Sequence, residues 1–257
     1  MGDWDGALKR LVVLPDIHTP NHEEKALAPI FSFIKFYKPH VLIQLGDFCD
    51  WDSVSKFLPH SERDIVTIDQ EADSANALLD KIDAICKVAG VKKKIMIGGN
   101  HEDRYAQYRV NRGMEVASKR MRTFTSWEKE YELDRRGWEH VDYGEHIQIG
   151  KIVFTHGWFS GGNCTKQMAE CFPGRNVIFG HTHKHQVSGC LDEKDMPIES
   201  ETIGTLSKMK LSYLRGKPAI NWVHGFLYID MAENGYFTKH YVRIIDGGFI
   251  EYGKEFR

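Results

Sequence analysis

Short apolar runs that stop at a polar or glycine residue alternate with longer stretches of helical spacing along the N-terminal part of the chain. Arg10 to Pro15 (RLVVLP) is such a run and ends at Asp16. It is short and rich in Val and Leu, which predicts a buried strand rather than a helix. Asn21 then precedes HEEKALAPIFSFIKFYK. An Asn N-cap, early glutamates and apolar positions at helical spacing predict a helix. His40 to Leu45 (HVLIQL) is a second strand, stopped by Gly46. From about Thr67 to Val88, the residues Ile68, Ala72, Ala75, Leu78, Leu79, Ile82 and Ile85 recur with helical periodicity. Lys94 to Ile97 makes a third strand, stopped by Gly98-Gly99. The order β-α-β-α-β implies parallel strands joined by crossover helices.

The pattern then changes. Residues from about 102 to 140 are rich in Arg, Tyr, Met and Trp, with no obvious strand before Val141, and read as a helical insertion. Residues 151–155 (KIVFT) and 176–179 (NVIF) are two more short strands. From Ser200 onward Thr, Tyr, Phe and Ile alternate with polar residues, and a hairpin is expected to turn at Glu233-Asn234-Gly235. No repeat, low-complexity tract or Pro/Gly-rich linker divides the sequence, so residues 1–257 read as one domain.

Composition narrows the class. The chain is 42 % hydrophobic and 27 % charged with a net charge of −2, ordinary for a soluble globular protein. Any basic surface has to be local. The segment MGDWDGALKRLVVLP does not look like a signal peptide, and no apolar stretch approaches the ~20 residues of a membrane span. Five cysteines (49, 86, 164, 171, 190) with no CxxC pair argue against a disulfide framework and against a Cys-based zinc site. A reducing cytoplasm is the default expectation. Thirteen histidines is a high count, and they cluster.

Five polar motifs each follow a predicted strand: Asp16-Ile17-His18, Gly46-Asp47-Phe48-Cys49-Asp50, Gly99-Asn100-His101-Glu102, His156-Gly157 and Gly180-His181-Thr182-His183. Ligands of α/β folds gather at the carboxyl ends of strands, so these motifs should converge. Their Asp, His and Asn donors suit borderline divalent metals without any thiolate. Asp16 and His18 lie two apart, as do His181 and His183, and in extended backbone each pair would leave the same face. The glycines before Asp47, Asn100 and His181 would permit sharp turns.

At these residues the chain resembles the calcineurin-like metallophosphoesterase superfamily, whose pattern is DxH, GDxxD, GNH[ED], His-Gly and GHxH in that order. The resemblance implies a four-layer αββα sandwich, two mixed β-sheets flanked by helices. It implies a phosphohydrolase that uses a metal-bridging hydroxide to attack a phosphate ester. Asp16, His18 and His183 resemble ligands of a first divalent metal; Asn100, His156 and His181 resemble ligands of a second; Asp47 resembles the bridging carboxylate. Manganese leads as the metal, with iron, zinc or nickel admissible. His101 resembles the catalytic histidine that contacts the phosphate and protonates the leaving group. Asp50 resembles the acid that orients it. Substrate contacts are expected at Asn100, His101 and Arg104. Glu102 reads as a structural acid and Cys49 as packing.

The resemblance implies a phosphate-ester substrate, and a phosphodiesterase acting on nucleotides or nucleic acid is the leading expectation. A Ser/Thr phosphoprotein phosphatase or another phosphomonoesterase is the alternative. Against it, Asp50 is followed by Trp51-Asp52 where those phosphatases carry Arg-Gly. A non-catalytic scaffold of the same fold is the alternative of another class. The basic stretch 104–122 (Arg104, Arg109, Arg112, Lys119, Arg120, Arg122) reads either as a phosphate-binding flank or as a solvated helix face. Trp51 and the Trp158-Phe159 loop could each offer a ring for stacking, and His185 could extend the site. No membrane partner is expected, and the oligomeric state is open.

Overall fold

The computed structural model describes residues 8–56, 66–115, 126–210 and 221–257. Along the chain, β1 (Lys9–Leu14), α1 (Glu24–Tyr37), β2 (Val41–Gln44), α2 (Ile68–Ala89) and β3 (Lys93–Ile97) form the expected crossover units. Three helices follow: α3 (Asn100–Glu115), α4 (Trp127–Glu130) and α5 (Leu133–Arg136). Then come β4 (Trp138–Val141), β5 (His146–Ile149), β6 (Ile152–Thr155), α6 (Cys164–Cys171), β7 (Asn176–Phe179), β8 (His185–Leu191) and β9 (Pro197–Ile203). The hairpin β10 (Gly225–Met231) and β11 (Phe237–Arg243) precedes the small pair β12 (Phe249–Glu251) and β13 (Lys254–Phe256).

Two mixed sheets result. One has the order β11-β10-β1-β2-β3-β4, the other β5-β6-β7-β9-β8. Strands β1 to β4 are parallel to their neighbours, and β10 runs antiparallel against β1. Strand residues divide between two cores. Val12, Leu14, Leu42 and Met96 pack on α1 and α2. Leu11, Val13, Ile43 and Ile95 point the other way, onto Phe154, Ile178 and Ile203 of the second sheet. Val177 and Phe179 cover Met168 of α6. The layers are therefore helix, sheet, sheet, helix. Because both faces of the central strands are covered, their sequences are continuous apolar runs rather than alternating ones.

Helix α2 starts where the periodicity placed it: Thr67 and Gln70 exchange side-chain-to-backbone bonds in a capping box. Helix α1 differs from expectation. Its N-cap is Glu23, whose side chain accepts the Lys25 N–H, and not Asn21. The Asn21 amide is occupied elsewhere, donating to Asp50 Oδ2 at 2.7 Å. Strand β4 also begins earlier than the sequence suggested, at Trp138. Its polar middle hides it, yet Trp138 is buried and pairs with Lys94 of β3. The β10–β11 turn closes on Gly235, whose N–H reaches the Ala232 carbonyl.

Candidate metal centre

The five motifs leave the carboxyl ends of β1, β2, β3, β6 and β7 and meet at one edge of the two sheets. Three triples of their side chains could hold an ion; one of them, His18, Asp50 and His101, shares His18 with the first of the two groups described next. In the first, Asp16, His18 and His183 offer ligand atoms all within 4.8 Å of one another. The Nε2 atoms of His18 and His183 lie 2.9 Å apart, and His183 Nε2 is 3.1 Å from Asp16 Oδ2. In the second group, Asp47, His156 and His181 meet the same 4.8 Å limit. Asn100 Oδ1 sits among them, 3.0 Å from His156 Nε2 and 2.8 Å from His181 Nδ1. Asp47 lies between the groups: Oδ2 is 3.8 Å from His18 Nε2, and Oδ1 is 3.4 Å from His156 Nε2. Each group draws donors from both sheets, with Asp16, His18, Asp47 and Asn100 following strands of the first and His156, His181 and His183 those of the second.

The hydrogen bonds around the histidines fix which nitrogen is free. His156 Nδ1 donates to the Leu45 carbonyl at 2.8 Å, and His18 Nδ1 donates to Asp50 Oδ1 at 2.7 Å. Each bond leaves Nε2 aimed into the centre, the nitrogen on which a metal would take the place of a proton. Electrostatics agree. Burial opposes a charge on His18, but Asp50, Asp47 and Asp16 outweigh it and push its pKa up to about 9. Burial likewise opposes a charge on His156, and Asp47 overrides it, again to about 9. Burial opposes ionisation of Asp47, yet the imidazoles of His101, His156 and His18 hold its carboxyl well below the usual range. Three buried carboxylates, Asp16, Asp47 and Asp50, thus demand positive charge. Protons supply it when nothing else does; divalent cations answer the same demand with the N and O donors present. The donor set fits such ions.

The backbone is shaped to the same end. His18, Asp47, Trp51, His181 and His183 all lie in the left-handed region, with φ between 49° and 71°. Such residues cost about 1–3 kcal/mol each and cluster at functional sites. The Asp16–His18 and His181–His183 stretches are therefore turned, not extended, and the shared face arises from the turn. Gly99 and Gly180 serve close approach rather than a special φ: a Cβ on either would overlap the carboxylate of Asp47 or Asp16 respectively. Their proximity lets the His101 N–H donate to Asp47 Oδ1 at 2.9 Å and the His181 N–H bond Asp16 at 2.9 and 3.0 Å.

His101 stands at the mouth. Its Nδ1 donates to the backbone carbonyl of Asp50 at 2.7 Å, whereas Asp50 Oδ1 is 3.6 Å away. The Asp50 carboxylate is instead spent on His18 and Asn21. Asp50 therefore touches His101 through its main chain, a correction to the carboxylate contact expected from sequence. Arg104, one turn along α3, donates to the same carbonyl at 2.9 Å and to Asp52 Oδ1 at 3.3 Å. It also donates to His101 Nε2 at 3.2 Å. Burial, with His18 and Arg104 adding to it, lowers the His101 pKa to about 4 despite Asp47.

Other sequence candidates fall elsewhere. Trp51 is fully buried, covered by Tyr105 at 4.3 Å and Tyr131 at 5.8 Å between ring centroids, so it cannot stack on substrate. Trp158 stacks on Phe172. His185 binds Glu201 at 2.9 Å and stacks on Tyr241. Cys49 is buried, and burial raises its thiol pKa well above the ordinary value, in keeping with packing. Lys119, Arg120 and Arg122 lie outside the described residues, as does the side chain of Arg112. Sequence reasoning missed Asn21, Glu71 and Tyr131. Glu71 had a signal: it falls on the apolar stripe of α2 with Ala75, Leu78 and Ile82.

The chain belongs to the calcineurin-like phosphoesterase family, whose sequence model matches residues 9–185. It is similar to the Gene 54 protein of Mycobacterium phage L5, 25 % identical over 262 residues, covering 96 % of this chain and 98 % of that protein. The Gene 54 protein of Mycobacterium phage D29 is 26 % identical over 255 residues, covering 94 % and 96 %. Among solved structures, Vacuolar Protein Sorting 29 from Cryptosporidium parvum aligns with a TM-score of 0.49 at 13 % identity, covering 97 % of this chain and 95 % of that one. YfcE, a phosphoesterase from E. coli, aligns with a TM-score of 0.40 at 13 % identity, covering 90 % and 98 %.

Proposed function

We propose that the chain is a two-metal phosphohydrolase that cleaves phosphodiesters, with nucleotides or nucleic acid as the substrate class. The observation that carries this reading is the position of Asp47. Its two oxygens face two separate groups of donors, and His101 and Arg104 stand beside them on the solvent side. In this reading Asp16, His18 and His183 hold one cation, Asn100, His156 and His181 hold the other, and Asp47 bridges. Divalent cations there, manganese first and iron, zinc or nickel behind it, would supply Lewis acidity to the phosphate oxygens.

The remaining work belongs to side chains. Asn100, His101 and His181 are partly exposed, unlike the buried carboxylates, and meet the substrate first. With Nδ1 tied to Asp50, Nε2 is the His101 atom that faces the phosphate. An anionic phosphate beside Nε2 counters the charge of Arg104 and raises the imidazole pKa. His101 can then take a proton from solvent at Nε2, releasing the Arg104 hydrogen bond, and pass it to the leaving oxygen. Arg104 is already shared between the Asp50 carbonyl and Asp52. One shared guanidinium matches the single charge of a diester better than the double charge of a monoester. The described residues of the 102–140 stretch belong to the same domain in this reading, since Tyr131 and Arg136 bond to Glu102 and to α2. The five cysteines are free, which supports a reducing compartment such as the cytoplasm.

The test compares bis-aryl with mono-aryl phosphate, using metal-stripped protein with and without Mn²⁺. Hydrolysis should require the metal, favour the diester and stop with chelator. Activity that survives complete stripping refutes the two-metal reading. Preference for the monoester moves the assignment to a phosphomonoesterase or phosphoprotein phosphatase. Bound Mn²⁺ with no turnover of any ester, nucleotides and single-stranded DNA included, leaves a binding scaffold.

A further inference from the structure

The loop after β2 carries Asp47, Asp50 and Asp52, and Asp47 through Trp51 are buried. Its backbone N–H groups need acceptors. Two buried glutamates from different helices provide them. Glu102, in the first turn of α3, accepts from the N–H of Asp47 at 3.0 Å, Phe48 at 3.1 Å, Cys49 at 3.3 Å and Gly99 at 2.9 Å. It also accepts the Tyr131 hydroxyl at 2.8 Å. Glu71, in the first turn of α2, accepts from the N–H of Asp52 at 2.6 Å and Ser53 at 3.1 Å, and from the Ser53 hydroxyl. Between the two sets, the Asp50 N–H bonds the Thr19 carbonyl.

These two sets of bonds end on different chemistry. The half held by Glu102 carries the Asp47 carboxylate, which lies between the donor groups. The half held by Glu71 carries Asp52 and follows the Asp50 carbonyl, the acceptors to which Arg104 and His101 are fastened. We infer that Glu102 and Glu71 are positioning residues that divide this loop, Glu102 setting the metal-binding half and Glu71 setting the substrate-facing half. The inference rests on the two-metal reading above. A glutamine at either position keeps the shape but turns an amide NH₂ toward backbone donors, so one side of the cradle is lost.

The experiment measures Mn²⁺ binding by titration calorimetry and bis-aryl phosphate kinetics for wild type, Glu71→Gln and Glu102→Gln at mildly alkaline pH. Glu102→Gln should weaken Mn²⁺ binding by about 10- to 100-fold. Glu71→Gln should leave Mn²⁺ affinity within about twofold while kcat/KM falls about tenfold, the size of a lost charged hydrogen bond. If a glutamine variant fails to fold, Tyr131→Phe and Ser53→Ala each remove one bond to the corresponding carboxylate and should show the same division at smaller size. Equal loss of Mn²⁺ affinity in both variants overturns the inference, as does unchanged Mn²⁺ binding in Glu102→Gln. A wild type that binds and turns over, with variants that do not divide, ends this inference alone. A wild type that binds no Mn²⁺ ends the two-metal reading and this one together.

Discussion

Replacing Gly99 by alanine puts a methyl group into space that Asp47 occupies. The added Cβ would overlap the Asp47 backbone nitrogen and one carboxylate oxygen and come within 2.9 Å of Cγ. Neither partner can yield easily. The Asp47 N–H is bonded to Glu102, and its carboxylate holds the His101 N–H. Ordinary carbon contacts need about 3.5 Å, so Asp47 or the Gly99 loop must move by about 1 Å. Overpacking of this kind costs about 1–3 kcal/mol of stability. A shift of about 1 Å in a positioned group can cost about 10²-fold in rate. Gly99→Ala should therefore lose Mn²⁺ affinity and most turnover while the fold survives. Gly161→Ala is the control: it lies in the loop after His156, and its Cβ would meet nothing within 4 Å. Calorimetric Mn²⁺ titration, diester kinetics and thermal unfolding read the comparison. Wild-type metal affinity in Gly99→Ala would refute the claim that close approach of this backbone fixes Asp47.

His101→Ala should keep Mn²⁺ and lose about 10²–10⁴-fold in kcat, whereas Asp47→Ala should lose the metal itself; kinetics beside calorimetry decide, and wild-type rates in metal-loaded His101→Ala remove that residue from the chemistry. Trp51→Ala should destabilise by about 3–5 kcal/mol, because a fully buried ring stacked on two tyrosines is deleted and the Tyr131 hydroxyl loses its donor. Urea unfolding measures this, and a loss under about 1 kcal/mol contradicts the packing. Glu71 titrates higher when folded, its pKa raised by burial from 4.5 to about 7. The folded chain then binds more protons than the unfolded one across that window, so stability falls as pH rises, by about 3 kcal/mol in total. Glu71→Gln lacks this loss, and the stability difference between variant and wild type should move in the variant's favour as pH rises; parallel curves would count against it.

The convergence of Asp16, Asp47, Asn100, His181 and His183 is legible in sequence because each sits in a short polar motif next to a strand end. The parallel strands are legible because burial on both faces leaves an unbroken apolar run. What surrounds the donors is less readable. The bond from Asn21 to Asp50 spans 29 residues and that from Trp51 to Tyr131 spans 80, and only tertiary packing sets such partners. Asn21 looked like a helix cap because the same short amide serves either purpose. For Asp50 the residue was readable but the atom was not: sequence cannot distinguish a carboxylate contact from a carbonyl one. Trp51 beside Asp50 of the second motif suggested stacking on substrate, and the rings that cover it come from α3 and from the residue after α4.

Each donor group straddles the two sheets, and in the two-metal reading this would make cation binding a checkpoint on assembly. Neither sheet alone holds a complete set, so a half-folded chain offers a metal little. Binding is then linked to docking of one sheet on the other by mass action, worth about 2.7 kcal/mol at a free metal concentration of 100 times Kd. An ion held there would also act as a rivet across the interface between the layers. A chain that had loaded both cations would, by that fact, have docked its two sheets.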